Sequence, residues 1–149
     1  MIYEILCVGK IKESFYKAEI SDVCKKINSR GDRISITEIP DVRIPDNIKD
    51  DRIEAFVEKE CDLMRSKLKG TDYVIALCIE GKELSTDKHR EYVKKAASAG
   101  KERIVYVIGG SLGLPVWVKE RADLKLSFSK LTFPHQLMRM VLVEEISYL

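Results

Sequence analysis

Histidine and cysteine are scarce in this chain of 149 residues, at two and four respectively. Cys7, Cys24, Cys61 and Cys78 contain no C-x-x-C pair, and neither His89 nor His135 stands at metal-ligand spacing from any of them. No metal site of the zinc-finger kind is expected, and the cysteines read as small buried hydrophobes of a reducing compartment. Proline is also rare, at four residues, and glycine at eight. That leaves no Pro/Gly-rich linker to divide the chain, so one domain over residues 1–149 is expected. No apolar run approaches the roughly 20 residues needed to span a bilayer. The opening MIYEILCVGK lacks the charged start, long apolar core and small-residue cleavage site of a signal peptide, so a cytoplasmic protein without a membrane partner is expected. A large excess of one charge is missing too. The net charge of +2 permits a nucleic-acid partner only through clustered cations. There is no internal repeat or low-complexity tract.

What is present is an alternation of strand and helix patterns. Residues 2–8, 73–79 and 104–108 are unbroken apolar runs of strand length, the pattern of strands buried on both faces of a parallel sheet. Ile34 and Ile36 alternate with Ser35 and Thr37 in a half-buried strand that stops before Pro40. Leu124, Leu126 and Phe128 alternate in a last short strand. Glu80-Gly81-Lys82 reads as the turn after the third run. Helical spacing marks residues 14–30, 53–68 and 86–99, with Ser85 or Thr86 as an N-cap for the last of these. A short helix follows Pro115, and a final helix, apolar on most faces, runs from His135 to about Tyr148. Residues 41–51 read as a surface loop. Together these predict an α/β fold with a mostly parallel sheet flanked by helices.

The stretch of chemical interest is IVYVIGGSLG, residues 104–113. A strand that breaks into glycines at its carboxyl end is where open α/β sheets take ligands. The same residues also suit an ordinary tight turn, and the stretch alone does not choose between the two.

Four segments together resemble one family. They are VGKIKESF (residues 8–15), ALCIEGKELST (76–86), VIGGSLGL (107–114) and LSFSKLTFPHQLMRMVLVEE (126–145). The chain resembles, over essentially its whole length, the ribosomal RNA large subunit methyltransferase H family of the SPOUT class. The resemblance implies a SPOUT-type sheet with a C-terminal trefoil knot, one of the few exceptions to the rule against knots. It implies a homodimer that uses S-adenosyl-L-methionine to methylate N3 of a pseudouridine in 23S rRNA of the ribosome. It also implies donor-binding roles for Leu77, for Gly110, and for Ser129, Lys130, Leu131, Thr132, Phe133 and Pro134 of the knotted loop. On this reading Leu77, Leu131 and Phe133 wall an adenine slot that a bulky side chain at Gly110 would fill.

The catalytic residues are not identified by the resemblance. His135 is a candidate base and stands one helical turn from Arg139, so the two share a face. Arg139 is placed for an RNA phosphate, a neighbouring carboxylate or a salt bridge to a second subunit. His89, on a charged helix, is expected at the solvated surface. Two departures from the family pattern stand out. Leu149 falls where relatives carry an arginine followed by more helix and a tail ending Pro-Tyr-His and a basic residue. Lys25 and Lys26 stand where a Lys-Arg pair is usual, which keeps the charge for a phosphate contact. The tail difference suggests an alternative reading, a silent relative that binds donor or RNA without transferring methyl.

Overall fold

The apolar runs pair side by side in a computed structural model that describes all residues from Met1 to Leu149. Five strands, β1 (Ile2–Val8), β2 (Arg33–Ile39), β3 (Tyr73–Glu83), β4 (Arg103–Ile108) and β5 (Leu124–Ser127), form one sheet in the order β2-β1-β4-β3-β5. Every pairing is parallel. The helices α1 (Ser14–Ser29), α2 (Asp50–Cys61), α3 (Thr86–Ser98), α4 (Val116–Arg121) and α5 (His135–Ser147) connect and cover the strands. A 3-10 segment, Asp62–Lys67, tightens the last turns of the long helix expected after residue 53.

Two apolar layers hold the sandwich together. On one face Ile5, Cys7, Ile104 and Tyr106 meet α1, α3 and α5 through Ile20, Val23, Ile27, Val93, Leu142, Val143 and Ile146. On the other, Leu6, Val8, Val105 and Val107 meet α2, the 3-10 segment and α4 through Cys61, Met64 and Val118. Each fully buried aliphatic side chain contributes roughly 1.5–3 kcal/mol. Strand β2 lies at an edge, which explains its alternating pattern. Its Thr37 hydroxyl donates to Glu4 on β1 at 2.5 Å, and the Ser35 hydroxyl donates to the same carboxylate. The buried charge is thereby satisfied.

The expected turn at residues 80–82 is not a turn. Strand β3 continues to Glu83, with a bulge: Leu77 and Lys82 both stand opposite Leu126, so residues 78–81 leave the ladder and return. Gly81 permits this because a Cβ there would lie 2.7 Å from the Lys125 carbonyl carbon. The backbones of β3 and β5 approach too closely for any side chain.

His89 is not at the surface either. It is 1% exposed and sits between two elements far away in sequence. Its Nδ1 is 3.0 Å from Glu145 Oε1 and its Nε2 is 2.8 Å from the Tyr106 hydroxyl. A carboxylate only accepts, so Nδ1 carries the proton and donates, and Nε2 accepts from Tyr106. Thr86 completes the set by donating to Glu145 Oε2 at 2.9 Å. The network fastens α3 and α5 to β4, which is why a histidine among charged neighbours turns inward.

Burial holds the His89 pKa below the ordinary histidine value, against the opposing pull of Glu145. His135 is lowered too, by burial and then by the Arg139 charge. Both groups therefore bind protons more readily in the unfolded chain, whose histidines titrate near about pH 6.5. Their contribution to stability is complete above that value and is lost as pH falls through it toward the folded values. Denaturant midpoints measured from about pH 8 down to pH 5 should fall. His89→Gln should be less stable at every pH and flatten that slope. An unchanged slope in the variant would contradict the buried neutral imidazole.

Candidate cofactor and active site

A cleft of about 410 Å3 opens at the carboxyl ends of β3, β4 and β5. Its size lies within the range of small-molecule sites. One wall is the end of β3 and its bulge, Leu77 to Glu80. The floor is the glycine turn after β4, and the opposite wall comes from Leu126 to Phe133 and from His135 and Met138 of α5.

The turn has a defined shape. Gly113 N–H donates to Gly110 O at 3.0 Å, and Gly113 has φ +88°, a conformation that glycine takes without strain. A Cβ on Gly109 would lie 2.6 Å from the Gly113 carbonyl carbon and closer still to its oxygen. The chain folds back on itself here with no space for a side chain. The loop after β5 is shaped by its own hydroxyls. Ser129 Oγ accepts from Leu131 N–H at 3.0 Å, and Ser127 Oγ donates to Ser129 O at 3.0 Å. At the start of α5, Gln136 Oε1 accepts from the backbone N–H groups of Lys12 and Glu13 at 3.0 and 3.3 Å. It serves two free amides at the entry of α1, which has no side-chain cap of its own. The start of α5, which carries the lining residues His135 and Met138, is thus tied to the start of α1.

Of the residues singled out from the sequence, Leu77, Gly110, Ser129, Leu131, Thr132, Phe133 and His135 line the cleft. Lys130 and Pro134 belong to the same loop, are exposed, and do not line it. Gly110 contributes main chain, but an added side chain would not enter the slot. Its Cβ would meet the Glu60 carboxylate, with Val8 Cγ1 at 3.3 Å, and neither residue lines the cleft.

Arg139 reaches neither the cleft nor an RNA phosphate. It is 1% exposed, and its guanidinium donates to Val8 O and Gly9 O at 3.2 Å each and to Glu38 at 3.4 Å. The neighbouring carboxylate expected from the sequence is this chain's own Glu38. Glu38 also accepts from Ile11 N–H at 3.1 Å, so the pair fastens the turn after β1 beneath the start of α5.

A family model described as "Predicted SPOUT methyltransferase" matches residues 1–148. The chain belongs to the SPOUT methyltransferase family. It is 42% identical over 142 residues to the ribosomal RNA large subunit methyltransferase H of Clostridium perfringens, covering 95% of this chain and 89% of that protein. It is 40% identical over 146 residues to the protein of the same name from Bacillus pumilus, covering 98% and 91%. Among solved structures, the SpoU methyltransferase AviRb from Streptomyces viridochromogenes, in complex with AdoMet, is matched at 10% identity with a TM-score of 0.45, over 97% of this chain and 56% of that one.

Several cleft residues of this SPOUT protein were not singled out from the sequence. Phe128 and Met138 add apolar wall, while Glu80 and Lys119 bring the charges. Lys119 Nζ lies 2.5 Å from Glu80 Oε1. The hydrogen bond from Lys119 holds the Glu80 carboxyl below its usual range. Cys78 lines the cleft as a thiol, its pKa pushed up by burial, and so lacks the thiolate character of a nucleophile. No sequence signal pairs Glu80 with Lys119, because the β3 bulge that brings them together depends on β5.

Proposed function

We propose that this SPOUT protein transfers a methyl group from S-adenosyl-L-methionine to ribosomal RNA, with N3 of a pseudouridine in 23S rRNA as the acceptor. The reading is carried by 40–42% identity, over almost the whole chain, to proteins named ribosomal RNA large subunit methyltransferase H.

The cleft residues fit the donor. Adenine needs an apolar slot edged by main-chain hydrogen-bonding groups, and Leu77, Ile108, Leu126 and Phe133 stand beside the open backbone of the glycine turn. Leu131, 70% exposed, is positioned to close over a ligand. When bound, the donor supplies an electrophilic methyl on a sulfonium centre. The protein's part is to hold that centre and the RNA base in line, which in favourable cases supplies about 7–11 kcal/mol of the acceleration. The cleft wall carries one imidazole, His135, and two carboxylate oxygens, those of Glu80. A proton leaving N3 goes to His135 or to water. Lys10, Lys12 and Lys130 are exposed in the segments around the cleft and are assigned to RNA phosphates.

The same reading includes a trefoil knot in the C-terminal third, a place in the cytoplasm beside the ribosome, and a homodimer. The second copy is assigned to the outer face of α5. There Leu84, Phe128, Met140, Val141 and Tyr148 line a groove of about 470 Å3. Val141 is 36% exposed, and its groove already carries Glu19, Glu144 and Glu145, so a further carboxylate there meets only like charge. Val141→Glu should shift the mass measured by light scattering at micromolar concentration from dimer to monomer, with the circular-dichroism spectrum unchanged. An unaltered dimer mass would place the interface elsewhere. The activity is tested by donor binding followed by methylation of ribosomes that lack the modification.

A further inference from the structure

The ion pair at the rim of the cleft links α4 to the β3 bulge. Glu80 is 52% exposed and Lys119 33%, so their attraction is weakened by solvent and adds little stability. The layout around them is nevertheless specific. Glu80 stands on the four residues that β3 spends outside its ladder, and that bulge exists only because Gly81 lets β3 and β5 touch. Lys119 comes from α4, the helix that follows the glycine turn. Bulge and helix converge on the cleft from two sides and bring to it one anion and one cation.

These two are the only carboxylate and the only ammonium on the cleft wall. Adenine and ribose carry no charge, whereas the amino-acid end of the donor carries an ammonium and a carboxylate on one carbon atom. A cation and an anion held 2.5 Å apart have the spacing to meet such a pair. The exchange trades one solvent-weakened ion pair for two charge-assisted contacts at the same rim. An RNA phosphate suits the pair less well, because Glu80 repels what Lys119 attracts.

We infer that Glu80 and Lys119 form the subsite for the zwitterionic amino-acid end of the donor, Glu80 accepting from its α-ammonium and Lys119 donating to its α-carboxylate. The inference rests on the donor reading of the cleft and goes further by assigning which charges recognise which end. Both residues bind; neither acts on the methyl group.

The test compares two ligands by calorimetry on the full chain. S-adenosylhomocysteine has the amino-acid end, and 5′-methylthioadenosine keeps the adenine, ribose and sulfur but lacks it. Each of Glu80→Gln and Lys119→Met should weaken S-adenosylhomocysteine about tenfold, the usual scale for losing one hydrogen bond to a charged group. Both variants should leave 5′-methylthioadenosine within about twofold of the wild-type protein, which also serves as the control for folding. Equal losses for both ligands would overturn the inference, because the pair would then serve the nucleoside or the shape of the cleft. Unchanged affinity for both ligands in both variants would overturn it as well. If neither ligand binds the wild-type protein, the donor reading itself falls and takes the subsite with it.

Discussion

Arg139→Met lowers the free energy of unfolding by about 3 kcal/mol, the sum expected for losing hydrogen bonds from a charged donor to two buried carbonyls. For a chain of this length that corresponds to roughly 10 °C in Tm. Methionine fills much of the space, so a cavity is not the main cost. Replacing a whole buried ion pair with apolar residues is often neutral, but here only one partner is replaced. The oxygens of Val8 and Gly9 belong to the backbone and stay behind unpaired. Glu38 is released as well and keeps only its contact with Ile11 N–H. The denaturant midpoint should fall with no change in the slope of unfolding free energy against denaturant. Because His135 and Met138 of the same helix line the cleft, donor affinity should fall too. A variant as stable as the wild-type protein would mean that the guanidinium is not the fastener between α5 and β1.

Gly109→Ala should weaken donor binding at least about a hundredfold, the scale of roughly 3 kcal/mol. The added methyl would collide with the Gly113–Leu114 peptide group, with Leu114 N at 3.1 Å, and main-chain atoms cannot rotate away. The turn must open, and the floor of the cleft opens with it. Far-ultraviolet circular dichroism should stay native, because the turn lies beyond the end of β4. Gly110→Ala is the control. Its Cβ meets the end of the flexible Glu60 side chain, which can shift at the cost of its contact with Val42 N–H, so the loss should be less than about tenfold. This contrast replaces the sequence-based expectation that bulk at Gly110 fills the slot. Equal losses in the two variants would contradict the geometry of the turn.

Much of the fold is legible in the sequence, because a parallel sheet writes itself as apolar runs and its covering helices as periodic ones. Strands β1 and β4 and the helices α1 and α3 stand close to where the patterns place them. What fails depends on partners distant in the chain. Residues 80–82 are polar and contain glycine, so they read as a turn, yet β3 resumes at Lys82 because Leu126 of β5 pairs with it 44 residues later. His89 looks solvated beside Lys88 and Arg90, and only Glu145 and Tyr106 explain its burial. Arg139 looks free to meet a phosphate until Val8, Gly9 and Glu38 close around it. The site divides along the same line. The glycine turn and the loop after β5 are local motifs and can be found from sequence alone. Glu80 and Lys119 cannot, since they meet only across the bulge.

The central claim is that the loops at the carboxyl ends of β3, β4 and β5 hold a methyl donor for ribosomal RNA. Its most direct test is calorimetry with S-adenosyl-L-methionine on the full chain, followed by transfer of radiolabelled methyl to ribosomes lacking the 23S rRNA modification. The account predicts one donor site per chain and label in the large-subunit RNA, both lost in Gly109→Ala. A wild-type protein that binds no donor would contradict it.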